Sequence, residues 1–449
     1  MKSPGLPVFL LIALAMAATS CFKIDNTFTG LAPGSWRATL ELEEQFITHN
    51  PKGKPLPEKL NWEFEEVTKG ELPFVFEVIY TDDSTFHLEI INGPERIKVE
   101  DIHLGRDLQL ARDTIYINFP IFDSHIQAFV EENLIEGEWV VRNRTMENGA
   151  PYVVPFLARH GQNHRFTTLK KPPVADISGK WEVDFEVETD HPFKGIAEFQ
   201  QDGNELTGTF LTETGDYRYL EGTVQANKIY LSCFDGSHAY LFEGKIQEDG
   251  SLIGSYAAGI HYQTLWTGKK NENFELRHPD SLTFLKPGYD KFAFSFEDAN
   301  GQVVSLEDER FRGKVTLVQL MGTWCPNCRD ETTFLVDYIQ KNPELEFEVV
   351  ALAFERQREK EKAIRAINIY REKFQMDYPI LLAGNEDKND ASEVLPMLNT
   401  VVAFPTLIIM DKKGAIRRIH TGFSGPATST YESFTREFDQ MLRELIAEP

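Results

Sequence analysis

Two thiols three positions apart carry the strongest chemical signal in this chain. The stretch VQLMGTWCPNCRDE, from Val318 to Glu331, holds Cys325 and Cys328, two of only four cysteines in 449 residues. The run KVTLVQLM before them is largely apolar, as a strand buried on both faces is. Gly322-Thr323-Trp324 then makes a turn, and Pro326 suits the first turn of a helix. Cys325 is therefore expected at a helix N-terminus, where unpaired amides and the positive end of the dipole favour its thiolate. A spacing of three puts Cys328 one turn further along the same face, in reach of a mixed disulfide formed on Cys325. Cys325 is the expected nucleophile and Cys328 the resolving thiol.

A Cys-x-x-Cys pair has two other uses. A zinc site needs two more ligands, and the sequence has no second Cys-x-x-Cys and no nearby paired histidines. A purely structural disulfide across so short a loop removes little chain entropy and stabilises little. Cys233, in KIYLSCFDG, sits on an apolar strand and reads as a buried, inert thiol.

The elements that must hold the pair alternate. FEVVALAF and TLIIM are further buried strands, and helices are expected over 327–341, 360–374 and 391–398. A last helix is expected to start at a capping box of Ser429 and Glu432 and to run to about Ala447. Strands separated by helices imply an α/β sheet.

GTWCPNCRDE after a buried strand, with AFPTLIIMDKKGAI downstream, resembles the thioredoxin superfamily, and within it the TlpA/ResA-type thiol-disulfide oxidoreductases of the cell envelope. The resemblance covers 286–449. It implies that Pro405 is the cis-proline lying against the active-site disulfide and offering backbone hydrogen bonds to substrate, and that Trp324 packs beside the nucleophile. Glu331 matches an acidic residue that tunes the thiols in ResA-like proteins; by its position alone it reads equally as a solvated acid on a helix. Thioredoxin itself has a buried Asp six residues before the first cysteine, where this chain has Gln319, so a proton must move through Glu331 or water. Phe404 enlarges the apolar surface beside the dithiol. The segment AGNEDKNDASEVLPMLNTVV matches the insertion typical of TlpA-like proteins, its acids reading as a solvated face.

Upstream, residues 28–274 read as short alternating strands broken by turn signals such as DDST, INGP and QDGN. The pattern occurs twice. GSWRATLEL from Gly34 corresponds to GKWEVDFEV from Gly179, and IYINFPIFDSH from Ile115 to IYLSCFDGSH from Ile229. LIEGEW and LIGSY follow, and the copies are expected to close near Lys170-Lys171 and Lys269-Lys270. A tandem duplication is expected, with β-module 1 over 28–170, β-module 2 over 175–274 and LKKPPVAD as the link. Each module has enough strands for a small barrel or sandwich. The first carries an insertion that includes HNPKGKPLPEK. Ser124-His125 and Ser237-His238 fall in equivalent turns and read as turn structure, and the many aromatics read as core. The fold class is multidomain: tandem all-β modules followed by an α/β thioredoxin-like domain.

A net charge of −24 argues against nucleic acid and anionic lipid surfaces as partners. Residues 1–20 combine Lys2, an apolar run and small residues before Cys21, which reads as a lipoprotein signal peptide with Cys21 as the lipidated residue. The expected protein is thus a lipid-anchored envelope protein facing the periplasm or the cell surface. It reduces protein disulfides through Cys325 and Cys328, draws electrons from a membrane donor and needs no cofactor. A peroxiredoxin-like peroxidase, or a β-module binding protein with an accessory redox domain, are the rival readings.

Overall fold

The computed structural model describes residues 30–42, 67–146, 149–289 and 291–449. The expected signal peptide, Cys21 and the loop HNPKGKPLPEK lie outside them. Among the described residues no helix is long and apolar enough to cross a membrane.

Among the described residues, nine antiparallel strands between Gly34 and His160 form the first sheet. Its first strand, Gly34–Glu41, pairs with its last, Pro151–His160, and the two edges are Glu95–Val99 and Ile102–Asp107. The sheet therefore curls into an up-and-down barrel open at one seam. The second sheet closes fully, because Gly179–Phe185 pairs with Tyr262–Lys270 and Phe193–Asp202 pairs with Glu205–Thr212 around a ring of eight long strands. Closure removes its edges.

The two sheets share local detail. Trp36 and Trp181 each donate an indole N–H to the carbonyl four residues upstream, Ala32 and Ile177 (2.9 and 2.8 Å). Trp36 pairs across the ladder with His160, and Trp181 with Lys270. The position matching Lys270 is thus His160, and Lys170-Lys171 lies beyond the strand that ends the first module.

The modules are packed as one body. Phe234 ends a strand of the second module, yet it stacks on Phe74 of the first at 4.4 Å and meets Trp139 edge-on at 5.3 Å. The equivalent turns also touch, since the Ser124 hydroxyl and the Trp139 indole both donate to the Gly236 carbonyl. Cys233 is wholly buried, and burial pushes its thiol up. Trp36, Trp139 and Trp266 are core residues, as expected.

The third sheet has seven strands in the spatial order Val303–Ser305, Ser295–Asp298, Ile380–Asn385, Phe347–Glu355, Val315–Met321, Thr406–Met410 and Ile416–Thr421. Its centre is parallel and its flanks antiparallel. Helices Pro326–Lys341, Lys360–Phe374, Lys388–Val394 and Tyr431–Ala447 cover it. Two expected starts move. The insertion helix begins at Lys388, because the Asp387 side chain accepts the Asn389 amide (2.8 Å), and it stops ahead of Pro396. The last helix begins at Tyr431 without a side-chain cap, because Ser429 is engaged elsewhere: its amide and hydroxyl donate to Glu198 of the second module (2.8 and 2.6 Å).

Candidate active site

The strand Val315–Met321 is buried along its whole length, paired on both sides, and delivers the chain to the turn before Cys325. Cys325 is the N-cap of helix Pro326–Lys341 in extended conformation. Its sulfur accepts the Cys328 backbone N–H (3.3 Å), so an amide that a helix start leaves unpaired points at the thiol. The Cys325 thiol donates in turn to the Phe404 carbonyl (3.4 Å). The Phe404–Pro405 peptide is cis. Both cysteines are free thiols; Cys325 is 4% exposed and Cys328 not at all. Burial holds the Cys328 thiol well above its ordinary value, with Cys325 and Glu331 adding to the effect.

Glu331 is not a solvated acid. Helical spacing puts Cys328, Glu331, Thr332 and Leu335 on the face turned to the sheet, and Glu331 has no exposed surface. Gln319 donates to its Oε2 (2.9 Å), while Oε1 has no hydrogen-bond partner among the described residues. Burial pushes this carboxyl up to about 8. It is therefore mostly protonated near neutrality, and when ionised its charge pushes the buried Cys328 thiol further up.

Trp324 is fixed by its indole N–H to the Phe354 carbonyl (2.8 Å) and meets Phe404 edge-on. The Arg356 guanidinium lies over its ring at 4.6 Å. Behind it stands a residue that sequence reasoning missed. Glu355 is buried and takes both the amide (2.9 Å) and the hydroxyl (2.6 Å) of Thr323, which fixes the turn into the dithiol. Burial raises its carboxyl to about 7. An acid closing the apolar run VVALAF, Val349–Phe354, is the available signal. Lys388, on the insertion helix read only for its acids, has Cys325 as its electrostatic neighbour.

The second module grips the same helix. Arg218 donates to both carboxylate oxygens of Asp330 (2.9 and 2.7 Å) and pairs with Glu95 of the first module. Asp235 accepts from His238 and lies 3.6 Å from both Arg218 and Arg329. Burial alone would raise Asp235; His238, Arg329 and Arg218 hold it well below the usual carboxylate range. The Gly425 amide donates to Asp216, and the Tyr219 hydroxyl to the Pro426 carbonyl (2.6 Å). Gly215, at φ +138°, lies against Asn327 within the Cys-Pro-Asn-Cys loop, where a side chain would collide. His238 thus caps a turn, its amide bonded to Asp235, and also faces the dithiol domain. Nothing in the local sequence announces these contacts, since Arg218 and Asp330 are 112 positions apart.

Among the described residues no cluster of His, Cys, Asp or Glu could hold a metal ion.

A family model described as Redoxin matches residues 289–434. The thioredoxin-like protein YneN of Bacillus subtilis (strain 168) is 31% identical over 129 residues, which cover 29% of this chain and 68% of YneN. The thiol-disulfide oxidoreductase ResA of the same strain is 25% identical over 138 residues, covering 31% and 69%. Among solved structures, a thiol-disulfide oxidoreductase from Bacteroides fragilis NCTC 9343 is 15% identical with a TM-score of 0.27, covering 34% of this chain and 99% of that one.

Proposed function

The chain belongs to the thioredoxin superfamily through a TlpA/ResA-like C-terminal thiol-disulfide oxidoreductase domain, and on that premise we propose that Cys325 and Cys328 are its exchanging dithiol. The observation that carries this is the Cys325 sulfur at the helix start, accepting the Cys328 amide, with a protonatable Glu331 buried behind it. The Cys325 thiolate attacks one sulfur of a substrate disulfide, a mixed disulfide forms, and the other sulfur leaves as a thiol. Cys328 then passes its proton to Glu331 in its ionised form and attacks the Cys325 sulfur, and the second substrate sulfur leaves and takes up that proton as a thiol. The dithiol ends as a disulfide, having passed two electrons and two protons to the substrate. Trp324 and Pro405 shape the surface against which the substrate lies.

Reduction of protein disulfides is the direction and substrate class that likeness to ResA supports. Recharging then calls for a membrane thiol donor, and the N-terminal signal with Cys21 fits a lipid-anchored envelope protein. The β-modules are read as two copies of one module. The peroxidase reading is disfavoured, because the Pro-x-x-x-Thr-x-x-Cys pattern of peroxiredoxins puts threonine three residues before the cysteine, whereas Thr323 stands two before Cys325 and donates its hydroxyl to Glu355 (2.6 Å). Equilibrating the chain lacking residues 1–21 in dithiothreitol buffers, with alkylation to count thiols, tests the direction. A potential near about −270 mV or lower supports a reductant, and one near about −120 mV makes the protein a disulfide donor instead.

A further inference from the structure

A cavity of about 240 Å³ opens where the two barrels meet the dithiol loop. Its floor on one side is Trp324 and Pro326, the residues on either side of Cys325; its other walls include Arg144, Tyr152, His238 and Arg356. Such a volume falls below the roughly 300–1,000 Å³ of pockets for drug-sized ligands, so its occupant is short.

The electrostatics of the cavity are one-sided. Arg356 has its own carboxylate, Glu386, at 2.7 Å. Arg144 has none among the described residues: its guanidinium donates to His261 (3.0 Å) and lies over the Tyr152 ring at 5.3 Å. A histidine nitrogen that accepts from arginine is unprotonated, so His261 supplies no competing charge. The charged group that acts most on Arg144 is Arg356, which repels it. A half-buried guanidinium beside a second one, with no acid of its own among the described residues, is a site for an anion, and a carboxylate fits the fork of a guanidinium best.

The dithiol is recessed beside this cavity. Phe404 and Pro405 are buried, Cys325 is 4% exposed, and Asn327 is packed on Gly215. We infer that the cavity is a binding site for a small carboxylate-bearing disulfide, seated by Arg144 and Arg356 so that its sulfurs lie along the Trp324–Pro326 wall next to Cys325. This inference rests on the thiol–disulfide reading and adds a small-molecule class to its substrates. Cys325 attacks one sulfur, the first carboxylate-bearing thiol leaves with a proton, and Cys328 displaces the second. One substrate disulfide becomes two thiols as the protein dithiol becomes a disulfide.

The test uses the full soluble chain, reduced, and follows loss of free thiols with three disulfides of similar length: dithiodipropionate (dianionic), hydroxyethyl disulfide (neutral) and cystamine (cationic). The expected order is dianion, neutral, cation, with the dianion faster than the neutral by about tenfold. Arg144→Gln is expected to collapse that ratio and Arg144→Lys to keep part of it. Equal rates for all three, or a ratio that Arg144→Gln leaves intact, would overturn the inference. Suberate, the isostere with carbons in place of the sulfurs, gives a readout free of redox chemistry and of any variant. Calorimetric binding of suberate to the Cys325→Ser chain, and suberate slowing oxidation by dithiodipropionate more than by hydroxyethyl disulfide, support the site. No suberate binding overturns it, whereas suberate binding with no oxidation by any disulfide keeps the anion site and removes the exchange reading.

Discussion

Arg218, on the second β-module, donates through one guanidinium nitrogen to both oxygens of Asp330, two residues past Cys328. Both side chains are largely shielded from water, Arg218 at 5% and Asp330 at 17% exposure. Module and active-site helix are thus joined by a charge pair whose members are each costly to leave alone.

Removing one partner is expected to be worse than removing both. Arg218→Met leaves Glu95, Asp235 and Asp330 without their shared cation and should cost about 3–5 kcal/mol in urea unfolding of the intact chain. Asp330→Asn should cost less, because Glu95 and Asp235 still neutralise Arg218. Both variants should let iodoacetamide reach Cys325 faster, by about tenfold if the module lifts by 1.4 kcal/mol more readily. An unchanged alkylation rate would mean that the pair does not hold the module over the dithiol.

Stability is expected to fall as pH rises through neutrality. Glu331 and Glu355 sit at about 8 and about 7 in the fold against an ordinary 4.5. Between those values the unfolded chain has lost protons that the native chain keeps, so each group lowers stability by at most about 1.4 kcal/mol per pH unit. The loss begins above about 4.5 and stops near each folded value. Glu331→Gln should flatten this slope, and the difference from the parent should grow toward alkaline pH. Equal slopes in urea titrations across that window would contradict a buried, protonated Glu331.

Cys328→Ser should trap a mixed disulfide on Cys325 when the reduced protein meets a disulfide, seen as a mass increase that dithiothreitol reverses. Cys325→Ser should trap nothing, because Cys328 is fully buried and its thiol pushed up. An adduct on Cys328 would reverse the assigned roles.

Thr323→Val removes the hydroxyl partner of a buried carboxyl and should destabilise the fold by about 1–3 kcal/mol. Thr323→Ser keeps that donor and should recover most of the loss. If valine were as stable as serine, the Glu355 contact would contribute nothing to holding the turn.

Residues on one continuous stretch could be read before the fold was known. The Cys-Pro-Asn-Cys start of a helix after a buried strand, and helix Lys360–Phe374, follow from short-range geometry: a strand period of two, a helix period of 3.6, and proline at a helix start. The same holds for the repeated Gly-x-Trp strands, whose indole bonds reach only four residues back. What lies against these elements was a different matter. Position in a helix does not say whether Glu331 faces water or a sheet; the strand Val315–Met321, paired on both sides, decides that it is dry, and burial pushes its carboxyl up. The Ser429-Glu432 pattern was locally sound as a cap, but Glu198 competes for the serine from another sheet. The Arg218 clamp, the Phe234 core contact and the cavity at Arg144 join residues more than 100 positions apart. Contacts at such separation have no local signature, because burial and charge pairing depend on which surfaces meet once the chain has closed.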